Sequence, residues 1–241
     1  MCGVRDATLP RYNDRAMVKW IFRTLLFVVG VLVGVQVGVR LLIRVKPVAT
    51  PPQFAPMLNN RLRLRYRDPV KAVDFINLHR NEIVLEVGAG TGVFTLEAAK
   101  RVGEGGLVHA VDIQPRMIER LADQLDTERV RNVKLHVAPA TRLPLPNNSV
   151  DAAFMISTLP MIAERRTVLA ELKRVLKPGG ELVIGEEMPE PEYVRPVSIR
   201  KWAEQAGFRM IGKNGNAWAY LLKFVKPLPI VEQAEEIASA A

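Results

Sequence analysis

From Asp68 onward, short strand-like runs alternate with single helix-like stretches, and this alternation leaves the chain few folds to choose from. DPVKAVDFINL (68–78) reads as a helix with a proline near its start, and IVLEV (83–87) as a β-branched strand ending in a glycine-rich turn. Phe94 to Arg101 reads as a helix, GLVHAVD (106–112) as a strand and Pro115 to Leu125 as a helix. NVKLHVA (132–138) and SVDAAFMIS (149–157) are the next strands. Residues 162–176 carry the helical stripe Val168, Leu169, Leu172, Val175 and Leu176, which Lys177-Pro178-Gly179-Gly180 is expected to stop sharply before the strand ELVIGEE (181–187). A helix over 197–206 and strand candidates FRMIGK (208–213) and AWAYLLKF (217–224) complete the pattern. Strands separated by single helices imply parallel crossovers, so the expected architecture is α/β with a doubly wound sheet. Such sheets bind ligands beyond the carboxyl ends of their strands, where strand order reverses. Residues 88–92, the turn after the first strand, are therefore the first place to look for a site.

The N-terminal part is different. Thr24 to Val39 reads TLLFVVGVLVGVQVGV, with only Thr24 and Gln36 polar. As a helix these residues span roughly 24 Å, short of a ~30 Å hydrocarbon core, and extension to Ile21 and Ile43 gives roughly 35 Å. Arg23 and Arg40 then lie near the ends, where long side chains snorkel, and Trp20 stands where an interfacial aromatic belongs. A single-pass transmembrane helix is expected; a signal peptide fits less well, because no small-x-small cleavage site follows, and so does a buried core helix, whose polar face would be missing. Gly30, Gly34 and Gly38 recur along one face, which suits helix–helix association, although glycine is common in membrane helices in any case.

Charge divides the chain in the same place. Residues 1–71 hold 13 Lys/Arg against 3 Asp/Glu, whereas residues 72–241 hold 21 against 22. The basic character belongs to the N-terminal appendage, and the nearly neutral body lacks the cationic footprint expected of a nucleic-acid-binding domain. The flank C-terminal to the apolar run is the more basic one, so the body is expected to face the cytoplasm. Residues 45–60, with four prolines, read as an extended linker, and RLRLRYR (61–67) as an edge strand or, by preference next to an anchor, a strip for an anionic membrane surface. The lone Cys2 excludes a disulfide framework, and His79, His109 and His136 show no metal-ligand spacing, so no metal site is expected.

The turn itself reads Glu86-Val87-Gly88-Ala89-Gly90-Thr91-Gly92. Glycine at alternate positions lets a ligand reach the backbone of a tight strand-to-helix turn. Val93 breaks the G-x-G-x-x-G fingerprint of nicotinamide sites. Asp112 ends the next strand, where a carboxylate accepts both hydroxyls of a ribose or, alternatively, caps the helix that follows.

EVGAGTG (86–92), VDIQPRMIERL (111–121), ATRLPLPNNSVDAAFM (140–155) and ELKRVLKPGGELVI (171–184) together resemble the class I S-adenosylmethionine-dependent methyltransferases, in the branch that includes the ubiquinone/menaquinone-biosynthesis (type 11) enzymes. The resemblance implies a Rossmann-like, mostly parallel seven-stranded sheet whose last strand is antiparallel, and S-adenosylmethionine as cofactor. It implies that Gly88, Ala89, Gly90, Thr91 and Gly92 line the methionine part of that cofactor, with Glu86 near its amino group. Asp112 then binds the ribose and Ile113 lies against the adenine. Relatives carry Gly-Asp-Ala after the third strand, where this chain has Ala138-Pro139-Ala140, which leaves the adenine edge to the backbone of Ala140 or Thr141. Ile156 and Ser157 fall beside the reactive methyl group. The implied organisation is a basic segment (1–19), a transmembrane helix (20–44), a linker (45–67), a methyltransferase domain (68–226) and a C-terminal tail (227–241).

Methyl transfer from a sulfonium needs chiefly alignment and a partly dry pocket, with a base only where the acceptor loses a proton. No catalytic residue is assigned: relatives often have a histidine where this chain has Thr158-Leu159-Pro160. Glu186 and Glu187 either face the pocket or form a solvated strand end or a helix-dipole partner. An anchor beside a pocket with few charges suggests a lipophilic acceptor, a quinone precursor or a lipid. A non-catalytic subunit of a membrane complex is the alternative.

Overall fold

The computed structural model describes residues 14–45, 68–188 and 192–229, which fall into two compact units divided after Val45. The expected basic segment before Asp14, the linker, the Arg61–Arg67 strip and the tail after residue 229 lie outside the described residues.

The first unit is one helix, α1 (Asp14–Val45), of 32 residues. Its stretch Met17–Gly38 is, by length and composition, apolar enough to cross a membrane, with a mean hydropathy of 2.0 and none of it buried. Thr24 turns its hydroxyl back onto the Trp20 carbonyl at 2.9 Å, so this polar side chain is satisfied within the helix. A Cβ built on Gly30, Gly34 or Gly38 meets nothing within 4 Å, so the small-residue face is open.

The second unit runs α2 (Pro69–Ile76), β1 (Ile83–Val87), α3 (Thr95–Val102), β2 (Leu107–Asp112), α4 (Pro115–Thr127), β3 (Val133–Val137) and β4 (Val150–Ile156). A 3-10 turn (Leu159–Met161), α5 (Arg165–Val175), β5 (Leu176–Glu187), α6 (Pro196–Gln205), β6 (Arg209–Gly215) and β7 (Ala219–Val225) follow. The strands form one sheet in the order β3-β2-β1-β4-β5-β7-β6. β1 to β5 are mutually parallel, and β7 is antiparallel to both β5 and β6. The expected seven-stranded, mostly parallel sheet with an antiparallel last strand is the fold found.

Alternation along each strand feeds two layers. Val84 of β1 and Phe154 of β4 pack with Ala72, Val73 and Ile76 of α2 and with Ala98, Ala99 and Val102 of α3. Leu85, Val87, Ala153 and Met155 point the other way, onto Val168, Leu169 and Leu172 of α5 and Ile199 and Ala203 of α6. Strand order reverses between β1 and β4, and the crevice beyond their carboxyl ends is the topological switch point.

Two expectations need correcting. The KPGG run is not a turn between a helix and a strand: α5 ends at Val175 and β5 begins at Leu176. Val150 pairs with Leu176 and Ala152 with Glu181, so Lys177–Gly180 bulge out within β5. Gly179 and Gly180 exchange backbone bonds with Lys226 beyond β7, at 2.9 Å each, and Lys177 pairs with Asp151. The helix expected over 162–176 also starts late. Pro160 sits in the preceding 3-10 turn, and residues 162–164 stay outside α5.

Candidate active site

A cavity of about 640 Å³ opens at the switch point, among the carboxyl ends of β1, β2 and β4. The turn after β1 forms its floor. Gly88 and Ala89 donate backbone N–H bonds to the Val111 carbonyl at 2.8 and 3.1 Å, which fastens the turn to β2. Gly90 has a φ of +54°, and a Cβ placed there meets nothing within 4 Å, so the backbone lies bare to the cavity. Gly92 is different. With a φ of +88°, its Cβ would stand 2.2 Å from Leu121 Cδ1, so this glycine serves the packing of α4 against the turn.

Asp112 lies beside the turn, 8% exposed. Its Oδ2 accepts the Gly90 N–H and its Oδ1 the Gln114 N–H, both at 2.9 Å. Burial raises the proton affinity of this carboxyl, and the backbone N–H groups of Gln114, Gly90 and Ile113 partly offset the rise. The helix-cap alternative is half met: Gln114 occupies the N-cap position of α4, and Asp112 ties it from two residues back.

Of the residues picked from the sequence, Gly88, Ala89, Gly90, Thr91, Asp112, Ile113, Ala140, Thr141, Ile156 and Ser157 line this one cavity, and Glu86 and Gly92 do not. Glu86 is buried below the turn, where it accepts the hydroxyl of Thr95 and so links β1 to α3. Pro139 also lines the cavity. Ser157 is 8% exposed, with a φ of +50°, and its hydroxyl has no hydrogen-bond partner. A strained backbone and a buried unsatisfied hydroxyl at one cavity-lining residue are what a ligand group would complete. The bare glycine backbone, the paired carboxylate and this hydroxyl, set among Phe94, Val111, Ile113 and Ile156 of the lining, fit a cofactor with both polar and apolar parts.

The opposite wall, formed by Met161, Ile162, Ala163, Glu164 and Thr167, carries no motif that marks it as a site. The available signal was positional: these residues follow β4, whose carboxyl end also borders the site. Glu186 and Glu187 are both buried and neither lines the cavity, so they neither face the pocket nor form a solvated strand end. His109 and His136 face each other with Nδ1 and Nε2 2.9 Å apart, away from the cavity. Burial, helped by His136 and Lys134, pulls the pKa of His109 down to about 4. Among the described residues no group of three or more His, Cys, Asp or Glu side chains is placed to hold a metal ion.

The model of a methyltransferase domain matches residues 84–180. The ubiquinone/menaquinone biosynthesis C-methyltransferase of Azotobacter vinelandii is 34% identical over 174 residues, 70% of this chain and 68% of that protein. The protein of the same name from Marinomonas sp. is 31% identical over 155 residues, and there the match spans 60% of the relative's length. Among solved structures, an S-adenosylmethionine-dependent methyltransferase from Aquifex aeolicus superposes with a TM-score of 0.70 at 28% identity, covering 74% of this chain and all of that one. Motif order, sheet topology and relatives agree: the chain belongs to the class I S-adenosylmethionine-dependent methyltransferases, and S-adenosylmethionine is its cofactor.

Proposed function

We propose that this protein is a membrane-anchored enzyme that methylates a ring carbon of a small lipophilic quinone precursor. The observation that carries the reading is the asymmetry of the cavity. One wall offers bare backbone and a paired carboxylate, and the other offers Met161, Ile162 and Ala163, with Glu164 and Thr167 at its α5 end. The C-methyltransferase names of the relatives support the acceptor class.

In this reading Asp112 takes the ribose hydroxyls, since each of its oxygens keeps a lone pair beyond the N–H bond it already accepts. Gly88, Ala89, Gly90 and Thr91 hold the methionine part, and Ile113, Ala140 and Thr141 border the adenine. Ile156 and Ser157 lie between the donor and acceptor sides. Glu86 and Gly92 act at one remove, through Thr95 and Leu121. When bound, the cofactor supplies an activated methyl on a sulfonium; the chain aligns the acceptor and keeps water out.

The apolar stretch of α1 spans the bilayer once, with the body on the cytoplasmic side and Gly30, Gly34 and Gly38 available to a neighbouring helix. The anchor keeps the body where a membrane-dissolved acceptor is concentrated. The test is the full chain in phospholipid vesicles with labelled S-adenosylmethionine and demethylmenaquinol, a quinol whose ring still lacks a methyl group. Label is expected in the quinone fraction. Replacing Val29 and Val33 with lysine, at about 2.5–3.5 kcal/mol each in a membrane centre, should release the protein from the vesicles and cut turnover of the vesicle-borne quinol. Transfer to the quinol that survives loss of membrane binding at full rate would defeat the role of the anchor.

A further inference from the structure

Among the described residues that line the cavity, only Asp112 and Glu164 carry ionisable side chains. They stand on different walls. Both oxygens of Asp112 are engaged by the backbone N–H groups of Gly90 and Gln114. Glu164 sits where the apolar wall meets α5. Its carbonyl accepts the Val168 N–H at 3.1 Å and closes the first turn, but its carboxylate does not cap the helix. Glu164 is solvent-exposed, and Thr167, three residues on, lines the same wall. Histidine, the commonest general base, is missing from the described lining, as are lysine and arginine.

Methylation at a ring carbon must dispose of a proton. From this we infer that Glu164 is the carboxylate that accepts the ring proton of the acceptor when the methyl–carbon bond forms. The inference rests on the carbon-methylation reading above. The acceptor reacts in its electron-rich quinol form. Its ring carbon bonds to the methyl group as the methyl–sulfur bond breaks, and that electron pair stays on sulfur, cancelling the sulfonium charge. The ring C–H pair then returns to the ring, and the proton passes to Glu164 and on to water at the mouth. Methyl replaces hydrogen with no net oxidation or reduction. Exposure suits this role, because the carboxylate must be discharged in every cycle.

The test uses the full chain in phosphatidylethanolamine/phosphatidylglycerol vesicles, with demethylmenaquinol kept reduced by dithionite. Glu164→Gln is expected to lower kcat on the order of 10²-fold, while calorimetric affinity for S-adenosylmethionine and the KM for the quinol stay within about twofold. Deuterium at the reacting ring carbon should then slow the variant more than the wild type, because proton loss has become limiting. Glu164→Ala should regain activity with added formate. Wild-type kcat in Glu164→Gln, or a loss that follows cofactor affinity without an isotope effect or formate rescue, overturns the assignment alone. Wild-type protein that binds the cofactor but leaves the quinol unmethylated overturns the acceptor reading, and the proton role falls with it.

Discussion

Across the cavity, the wall carried by β1 and β2 is held by hydrogen bonds of its backbone, to itself and to one carboxylate, whereas the wall carried by the 3-10 turn and the start of α5 is held mainly by side-chain packing. On the first side, Gly88 and Ala89 are bonded to Val111, and Gly90 and Gln114 to Asp112, all between 2.8 and 3.1 Å. On the second, Leu159 is fully buried and anchors the turn, Arg165 donates to the Pro160 carbonyl at 2.9 Å, and Met161, Ile162 and Ala163 present ordinary apolar surface. The two walls meet where Gly88 approaches Thr158 too closely for a Cβ to fit. The positive φ angles at Gly88 and Gly90 and the bonds to the Asp112 carboxylate constrain residue type tightly, so the first wall suits a single ligand. Apolar packing constrains it loosely, so the second can be recut for different acceptors without loss of the fold.

The largest effect expected from this contrast is on Asp112. Asp112→Ala removes a carboxylate that organises Gly90 and Gln114 and accepts sugar hydroxyls, at about 1.5–3 kcal/mol per charge-assisted bond. Titration calorimetry should show affinity for S-adenosylmethionine falling by at least about 10²-fold. Ile162→Ser on the other wall should leave that affinity within about twofold and raise the KM of a lipophilic acceptor on the order of tenfold. If the two variants weakened the cofactor equally, the division of labour between the walls would be wrong.

A finer cut runs through the first wall, between two glycines that sequence alone could not tell apart. Gly92→Ala forces a methyl onto Leu121 Cδ1, at 2.2 Å, with φ at +88°. The expected loss is about 2–3 kcal/mol, a fall in Tm on the order of 8 °C for a body of this size. Gly90→Ala, with φ at +54° and open space ahead, should cost about 1 kcal/mol of stability but block part of the cofactor cradle. Thermal melting set beside calorimetry separates the two: Gly92→Ala should fail mainly in the first, Gly90→Ala mainly in the second.

How much of this was legible follows the same line. The strands, their parallel order and the turn at 88–92 could be read because β-branched runs, glycines and a strand-end aspartate are scarce residue types in demanding positions. Glu86 and Gly92 stand behind the cavity lining, against Thr95 and Leu121, because a motif records which residue is needed but not which neighbour it meets. Met161, Ile162 and Glu164 are not legible because their types suit any helix start, and only the late beginning of α5 after Pro160 sets them along the cavity, with Thr167 one turn into the helix. The KPGG run misled for a similar reason: a turn-forming composition was spent on a bulge inside β5, where Asp151 and Lys226 hold it.

The most local effect concerns pH. His109 of β2 and His136 of β3 pack edge to edge behind the cofactor wall, with ring centroids 5.2 Å apart. Burial, His136 and Lys134 hold the pKa of His109 down to about 4, against an ordinary value of 6.5. Between those two values the unfolded chain takes up a proton that the folded chain refuses. Stability is therefore full above about pH 6.5, falls as pH drops toward 4 and levels off below. His136, also lowered by burial and Lys134, adds to the slope with the same sign. The effect should reach the wall built on β2 and leave the one built on α5 alone. Hydrogen exchange at pH 5 against pH 7.5, corrected for intrinsic rates, should show amides of β2 and β3 losing protection before those of β4 and α5. His109→Gln should flatten the difference. Equal loss across the sheet would mean that the histidine pair does not govern this edge, and that the two walls share a single unfolding unit.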